Sequence, residues 1–157
     1  MADELPPPKA VRDLFEGLLG RDVEVGAGSK VDPARPCVTA VYVDDSLTMS
    51  SVVLMDLPLA AFSGAAVGLI PVGGAEAALE DGELPRNLLE NVSEILNVFA
   101  GTINEASSKH QRLYAIYPPD ADVPTDAAAA AASMVNRLDL TASIKAYGAG
   151  ELSCVQV

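Results

Sequence analysis

The stretch from Pro85 to about Ser107 constrains this chain more than any other. It reads as one long helix. Pro85 stands where a first-turn proline belongs, because the N–H it lacks would have no helical partner there. At about 100° per residue, Leu88, Leu89, Val92, Ile95, Leu96, Phe99 and Ile103 fall within roughly 60° either side of one direction. Apolar side chains worth about 1.5–3 kcal/mol each on burial decide which way such a helix faces. The same arithmetic sends Glu90, Glu94, Asn97, Gly101 and Asn104 to the opposite side, within about 80° of each other. Asn97 and Gly101 together disfavour the helix by about 1–1.5 kcal/mol relative to alanine. Glu90 and Glu94, like charges one turn apart, add a small penalty. The plain reading is a solvated face; the sharper one is a docking face for a cationic partner.

Around this helix the order of elements predicts an α+β fold. Residues 1–8 read as a flexible Pro-rich tail, and 9–157 as a single domain. Lys9 to Leu19 carries Val11, Leu14, Phe15, Leu18 and Leu19 at helical spacing, and Gly20 is a C-terminal cap. Strands are expected over Asp22 to Ala27, Cys37 to Val43 and Thr48 to Met55, the last two as a hairpin. Pro58 opens a small-residue helix, Leu59 to Leu69; Pro71 through Gly74 ends it, and a connector runs to Glu83. After the long helix come a strand over Leu113 to Tyr117 and a short helix through the alanine run 127–132, capped by Thr125 and Asp126. Strands Leu138 to Tyr147 and Leu152 to Val157 follow, joined by a Gly148-Ala149-Gly150 turn. The order repeats weakly, a helix then three strands, twice, with a small-residue helix inserted in each half and no residue-level identity between them. The short turns make the strands antiparallel, so the expected architecture is an antiparallel sheet with long helices packed on it.

A net charge of −12 offers no basic surface to release counterions, which argues against nucleic acid and anionic membranes as partners. Half of the residues are hydrophobic, which excludes a disordered chain. Leu57 to Val72, the longest apolar stretch, is interrupted by Ser63, prolines and glycines and falls short of the ~20 apolar residues of a membrane span. The start, MADELPPPK, shows no secretory pattern, so a cytoplasmic protein is expected. Cys37 and Cys154 have no metal-ligand spacing and read as buried free thiols. His110, at a helix-to-strand junction, reads as a surface or capping residue. Gly73-Gly74 reads as a loop, not a nucleotide cradle, and no nucleophile motif, phosphate loop or metal cluster is present.

Glu94-Ile-Leu-Asn97-x-x-x-Gly101 resembles the Glu-x-x-Asn signature of the CheC/CheX/FliY family of chemotaxis phosphatases, with the CheX branch the nearest. "LFEGLLGRDVEV", residues 14–25, resembles the opening helix and strand of that branch, and "LPLAAFSGAAVGL", residues 57–69, its proline-started helix. The order of elements is similar from about Lys9 to Val157. Glu90 departs from the family's usual Asp or Ser, and Thr102 from its frequent Asn. The first helix has no Glu-x-x-Asn, so the resemblance implies one site per chain.

What the resemblance implies is a phosphatase for the aspartyl phosphate of a receiver domain such as CheY. Asn97 would orient the attacking water, and Glu94 would pair with the receiver's lysine. Glu90, Val98 and Gly101 would meet the partner. No cofactor is expected on this chain; Mg2+ is expected on the receiver. A homodimer through exposed strand edges is also expected. The alternative from a different class is a non-catalytic receiver-binding or scaffold module related to the middle domain of the flagellar switch protein FliM.

Overall fold

The structure, a computed structural model, describes residues 5–157. The chain folds as α1 (Pro8–Leu19), β1 (Val23–Ala27), β2 (Cys37–Val43), β3 (Met49–Asp56), α2 (Leu57–Val67), α3 (Val72–Asp81), α4 (Arg86–Ala106), β4 (Arg112–Tyr117), α5 (Thr125–Ala132), β5 (Arg137–Ile144) and β6 (Gly148–Gln156). The strands form one antiparallel sheet in the order β1-β5-β6-β3-β2-β4. The α+β architecture read from the sequence is the architecture found.

The weak repeat becomes explicit in the sheet. Exchanging β1 with β4, β2 with β5 and β3 with β6 reverses the strand order and leaves every pairing in place. The halves are therefore related by a pseudo-two-fold axis between β3 and β6. The helices that open the two halves also match, although the sequence alone showed no identity. Val11, Phe15, Gly17 and Leu19 in α1 recur at the same spacing as Ile95, Phe99, Gly101 and Ile103 in α4.

One face of the sheet carries the main core. Val11, Phe15 and Leu19 of α1, Leu59 and Ala60 of α2, and Val92, Ile95 and Phe99 of α4 pack there on Val38, Ala40, Tyr42, Val53, Leu140 and Leu152. The alternate side chains of the central strands face the other way, where α5 and the β1–β2 connector cover them through Ala131 and Val31. Every residue of β2 is buried, because both faces of that strand are covered.

The structure corrects the sequence reading in three places. Residues expected to form a connector make α3, with Gly73 and Gly74 in its first turn. Ala75 and Ala78 are buried there against Ala61, Ala65 and Leu88, and that burial outweighs the low helix propensity of the glycines. The β5–β6 turn lies at Lys145, Ala146 and Tyr147, with Ala146 left-handed at φ 72°. Gly148 and Gly150 are instead inside β6: a Cβ on Gly148 would strike the Phe62 ring, and one on Gly150 would strike Leu59 at the start of α2. Of the expected tail, residues 1–4 lie outside the described residues, whereas Leu5 packs on the core, Pro6 is buried and Pro8 opens α1.

Cys37 and Cys154 are free and buried. Burial pushes the Cys154 thiol up to about 12, so it stays an uncharged core group. On the α5 side a polar network ties the halves together. Arg137, nearly buried, donates through Nη2 to Asp139 Oδ1 at 2.9 Å and through Nη1 to the Ala131 carbonyl at 3.2 Å. The Ser153 hydroxyl donates to Asp139 at 2.6 Å and accepts the Val31 N–H at 2.9 Å. Burial alone would push the Asp139 carboxyl upward, but the bonds from Arg137 and Ser153 outweigh it and hold it below the usual carboxylate value. A carboxylate with a lowered folded pKa contributes stability above its unfolded pKa and loses it as pH falls through the folded value. Asp139→Asn is therefore expected to destabilise the fold at pH 7 by on the order of 2 kcal/mol. The gap from wild type should close as pH drops below about 4. Urea melts of both proteins across pH 2–7 check this.

Candidate functional site

α4 begins after Pro85, whose carbonyl accepts the Leu89 N–H at 2.9 Å, and ends at Ser107, whose N–H reaches Ile103 at 2.9 Å. Leu88, Val92, Ile95, Leu96, Phe99 and Ile103 are buried, as the periodicity requires. Thr102, on the flank of that stripe, is buried with them. Glu90, Glu94, Asn97 and Gly101 are exposed on the opposite face. The register along α4 brings Glu94 and Asn97 together as three-apart neighbours on one surface.

The asparagines of this helix separate by use. Asn91 donates to the Gly64 carbonyl of α2 at 2.9 Å and so fastens the two helices. Asn104, expected on the polar face, turns to the backbone after the helix instead. Its Oδ1 accepts the Gln111 N–H and its Nδ2 donates to the Gln111 carbonyl, both at 2.8 Å. The Asn97 side chain has no hydrogen bond to any described residue, and the Glu94 side chain has neither a hydrogen bond nor an ion pair among them. Glu90 is held by Arg86 at 3.2 Å, with both side chains well exposed. A pair of that kind is worth only about 0.3–0.5 kcal/mol and opens readily. Val98 is partly exposed beside Glu94, one turn along the same flank.

Gly101 needs a comparison. A Cβ there would meet nothing within 4 Å, so packing within the chain does not demand glycine. Gly64 differs: a Cβ would lie 2.9 Å from the Leu88 carbonyl oxygen, so glycine there lets α2 approach α4. Gly17, the counterpart of Gly101 in α1, is equally open. The open glycine thus belongs to both halves. What distinguishes α4 is the pair itself. At the positions of Glu94 and Asn97, α1 has Ala10 and Asp13, and Asp13 is engaged by Lys9 at 3.0 Å and Arg12 at 3.3 Å.

Glu94 and Asn97 lie on an exposed helix face. A cavity of about 480 Å³ lies elsewhere, between residues 29–36, the start of α2 and Glu151. An exposed helix face suits a macromolecular surface better than a small molecule, which needs enclosure. His110 stays at the α4–β4 junction, exposed, with Nδ1 3.5 Å from Asp45. Sequence reasoning missed one residue that reaches this part of α4: Tyr42 of β2, wholly buried, donates its hydroxyl to the Leu96 carbonyl at 2.5 Å. A tyrosine inside an apolar strand was the available signal, since a buried phenol needs an acceptor.

No protein-family model matches the chain, and no curated protein matches it. Solved structures do. The FliM middle domain of H. pylori superposes with a TM-score of 0.65 at 12% identity, covering 95% of this chain and 86% of that one. FliY of Thermotoga maritima gives 0.64 at 13%, covering 93% and 81%. CheX of Borrelia burgdorferi, in a complex with CheY, BeF3 and Mg2+, gives 0.55 at 12%, covering 94% and 93%. The fold is the one shared by the CheC/CheX/FliY proteins and the FliM middle domain, and the likeness does not single out CheX among them.

Positions on α4 and at its contact with α2 should respond differently to alanine. Gly101→Ala is expected to stabilise the fold by about 0.5–1 kcal/mol. Gly64→Ala is expected to destabilise it by about 1–3 kcal/mol through overpacking against Leu88. Asn104→Ala should lose about 1–2 kcal/mol by orphaning the Gln111 backbone, while Asn97→Ala changes stability by less than about 0.5 kcal/mol. Urea midpoints at constant slope report all four.

Proposed function

We propose that this chain hydrolyses the aspartyl phosphate of a CheY-like receiver domain in the cytoplasm. The observation that carries the reading is the asymmetry between the two opening helices. α4 presents Glu94 and Asn97 exposed and unengaged, whereas α1, built to the same pattern, has Ala10 and an ion-paired Asp13 at those places. A helix that keeps an unengaged asparagine at some cost in propensity keeps it for a partner. The solved CheX complex with CheY, BeF3 and Mg2+ supports a receiver as that partner.

The chemistry follows from the residue types. On a receiver, the phosphoryl group lies beside a divalent ion and a lysine that the receiver itself supplies, so hydrolysis lacks mainly a water placed in line with phosphorus. A carboxamide both donates and accepts, so Asn97 can hold and orient that water without a change of charge. The gain comes from fixed geometry rather than from proton transfer. Glu94 pairs with the receiver's lysine and sets the docking register; the pair strengthens as the interface excludes water. Gly101 leaves a flat spot one turn from Asn97, and Glu90 and Val98 border the contact.

A second reading has its own support: the FliM middle domain superposes more closely than CheX does. On that reading the chain binds a receiver or an assembly partner without catalysis. Receiver phosphate lifetime, measured with and without this protein, decides between them. Asn97→Ala is expected to slow added hydrolysis by on the order of 10²–10³ while leaving affinity for the phosphorylated receiver unchanged. Glu94→Ala is expected to weaken affinity as well as rate. A wild type that shortens no receiver's phosphate lifetime, or an Asn97→Ala variant as fast as wild type, leaves the scaffold reading standing.

We further propose a homodimer. β1 and β4 each pair on one side only, which leaves two open sheet edges. Light scattering at micromolar concentration should give about twice the 16.2 kDa of one chain; a strict monomer rejects the proposal.

A further inference from the structure

We infer that Tyr42 is a positioning residue for this hydrolysis, its hydroxyl fixing the peptide group from which Asn97 departs. The inference rests on the functional reading above. The Leu96 carbonyl that accepts the Tyr42 hydroxyl at 2.5 Å belongs to the peptide unit joining Leu96 to Asn97. A single bond from the sheet thus lands one Cα away from the proposed water-orienting side chain.

Packing alone does not ask for this phenol. Phenylalanine would fill the same space in the core with no hydroxyl to satisfy, and Leu96 lies mid-helix, where its carbonyl already has an intrahelical donor and only its second lone pair is free. The sheet is also irregular on both sides of the residue. Against β4 the register slips between Val41 and Tyr42, which skips Tyr114; against β3 it slips between Tyr42 and Val43, which skips Ser50. Bulges re-aim side chains and bend strands. Two of them flank Tyr42, and its hydroxyl reaches the turn of α4 that bears the pair.

The lever arm makes small motions matter. A side-chain atom lies about 6 Å from a helix axis, so a roll of about 10° displaces it by about 1 Å, and a shift of that size is enough to spoil a water-orienting geometry by roughly ten- to a hundred-fold in rate. The hydroxyl of Tyr42 opposes that roll. Glu94 acts at long range through charge and tolerates it better, so removing the hydroxyl should strike turnover and spare binding.

The experiment compares Tyr42→Phe with Val53→Ala, a core truncation on β3 that destabilises the fold and leaves the hydrogen bond alone. An acetyl-phosphate-charged CheY-type receiver is the substrate. Tyr42→Phe is expected to lower kcat about ten-fold at unchanged KM, while Val53→Ala retains wild-type kcat. In wild type the Tyr42 hydroxyl proton should be slow to exchange and show cross-peaks to the Leu96 and Asn97 amides; their absence overturns the inference even if Tyr42→Phe fails to fold. A Tyr42→Phe variant with wild-type kcat, or one that loses activity through KM, overturns it and leaves the phosphatase reading intact. So does an equal kcat loss in Val53→Ala. A wild type without activity overturns both.

Discussion

The pairing of β3 with β6 is the interaction on which the rest of the molecule depends. Ser51 to Met55 lie against Gln156 to Leu152 at the centre of the sheet, and this ladder joins the two halves along the pseudo-two-fold axis. Val53, Met55, Leu152 and Cys154 face the main core from it, while Val52 and Leu54 face the α5 side. With the ladder in place, β2 and β5 extend it outward, and each half's opening strand closes the edge of the opposite half. The pseudo-two-fold axis follows, and with it the parallel roles of α1 and α4. The site proposed on α4 is thus defined partly by what its counterpart lacks.

Most of α4 was legible in the sequence, because burial energy at a 3.6-residue period overrides every weaker preference along it. The same reasoning placed Glu94 and Asn97 at the surface. It could not say that Asn91 and Asn104 would be consumed by Gly64 and Gln111, since those partners are distant in sequence or beyond the helix end. α3 was missed because Gly73 and Gly74 suppress local helix propensity, and only tertiary burial of Ala75 and Ala78 restores it. The β5–β6 turn was misplaced for the converse reason. Gly148 and Gly150 resemble turn residues, but Gly150 makes room for the start of α2, and Gly148 makes room for Phe62 at a φ of 155° that also favours glycine. A glycine chosen for close approach and one chosen for backbone conformation look alike until the neighbour is known.

The helix-level repeat went unseen because its shared positions are few and apolar. Val11, Phe15 and Leu19 set beside Ile95, Phe99 and Ile103 say only that both helices pack on a sheet. Three-dimensional equivalence turns that resemblance into a comparison of surfaces, with Asp13 bound by Lys9 on one side and Asn97 unbound on the other. Electrostatics keep the surfaces distinct. The α1 face mixes both signs in close pairs, whereas on the α4 face Arg86 is engaged by Glu90 and, among the described residues, Glu94 has no ion pair.

The central ladder also sets when the molecule can form. β3 is made well before β6, so Ser51 waits for Gln156 while α2 to β5 are synthesised. Until then a strand rich in valine and leucine has β2 on one side and an unpaired edge on the other. Closing a loop of that length gives slow, non-local folding. During translation the nascent first half is an aggregation hazard of the kind holdase chaperones cover, and the completed sheet removes that hazard in a single step.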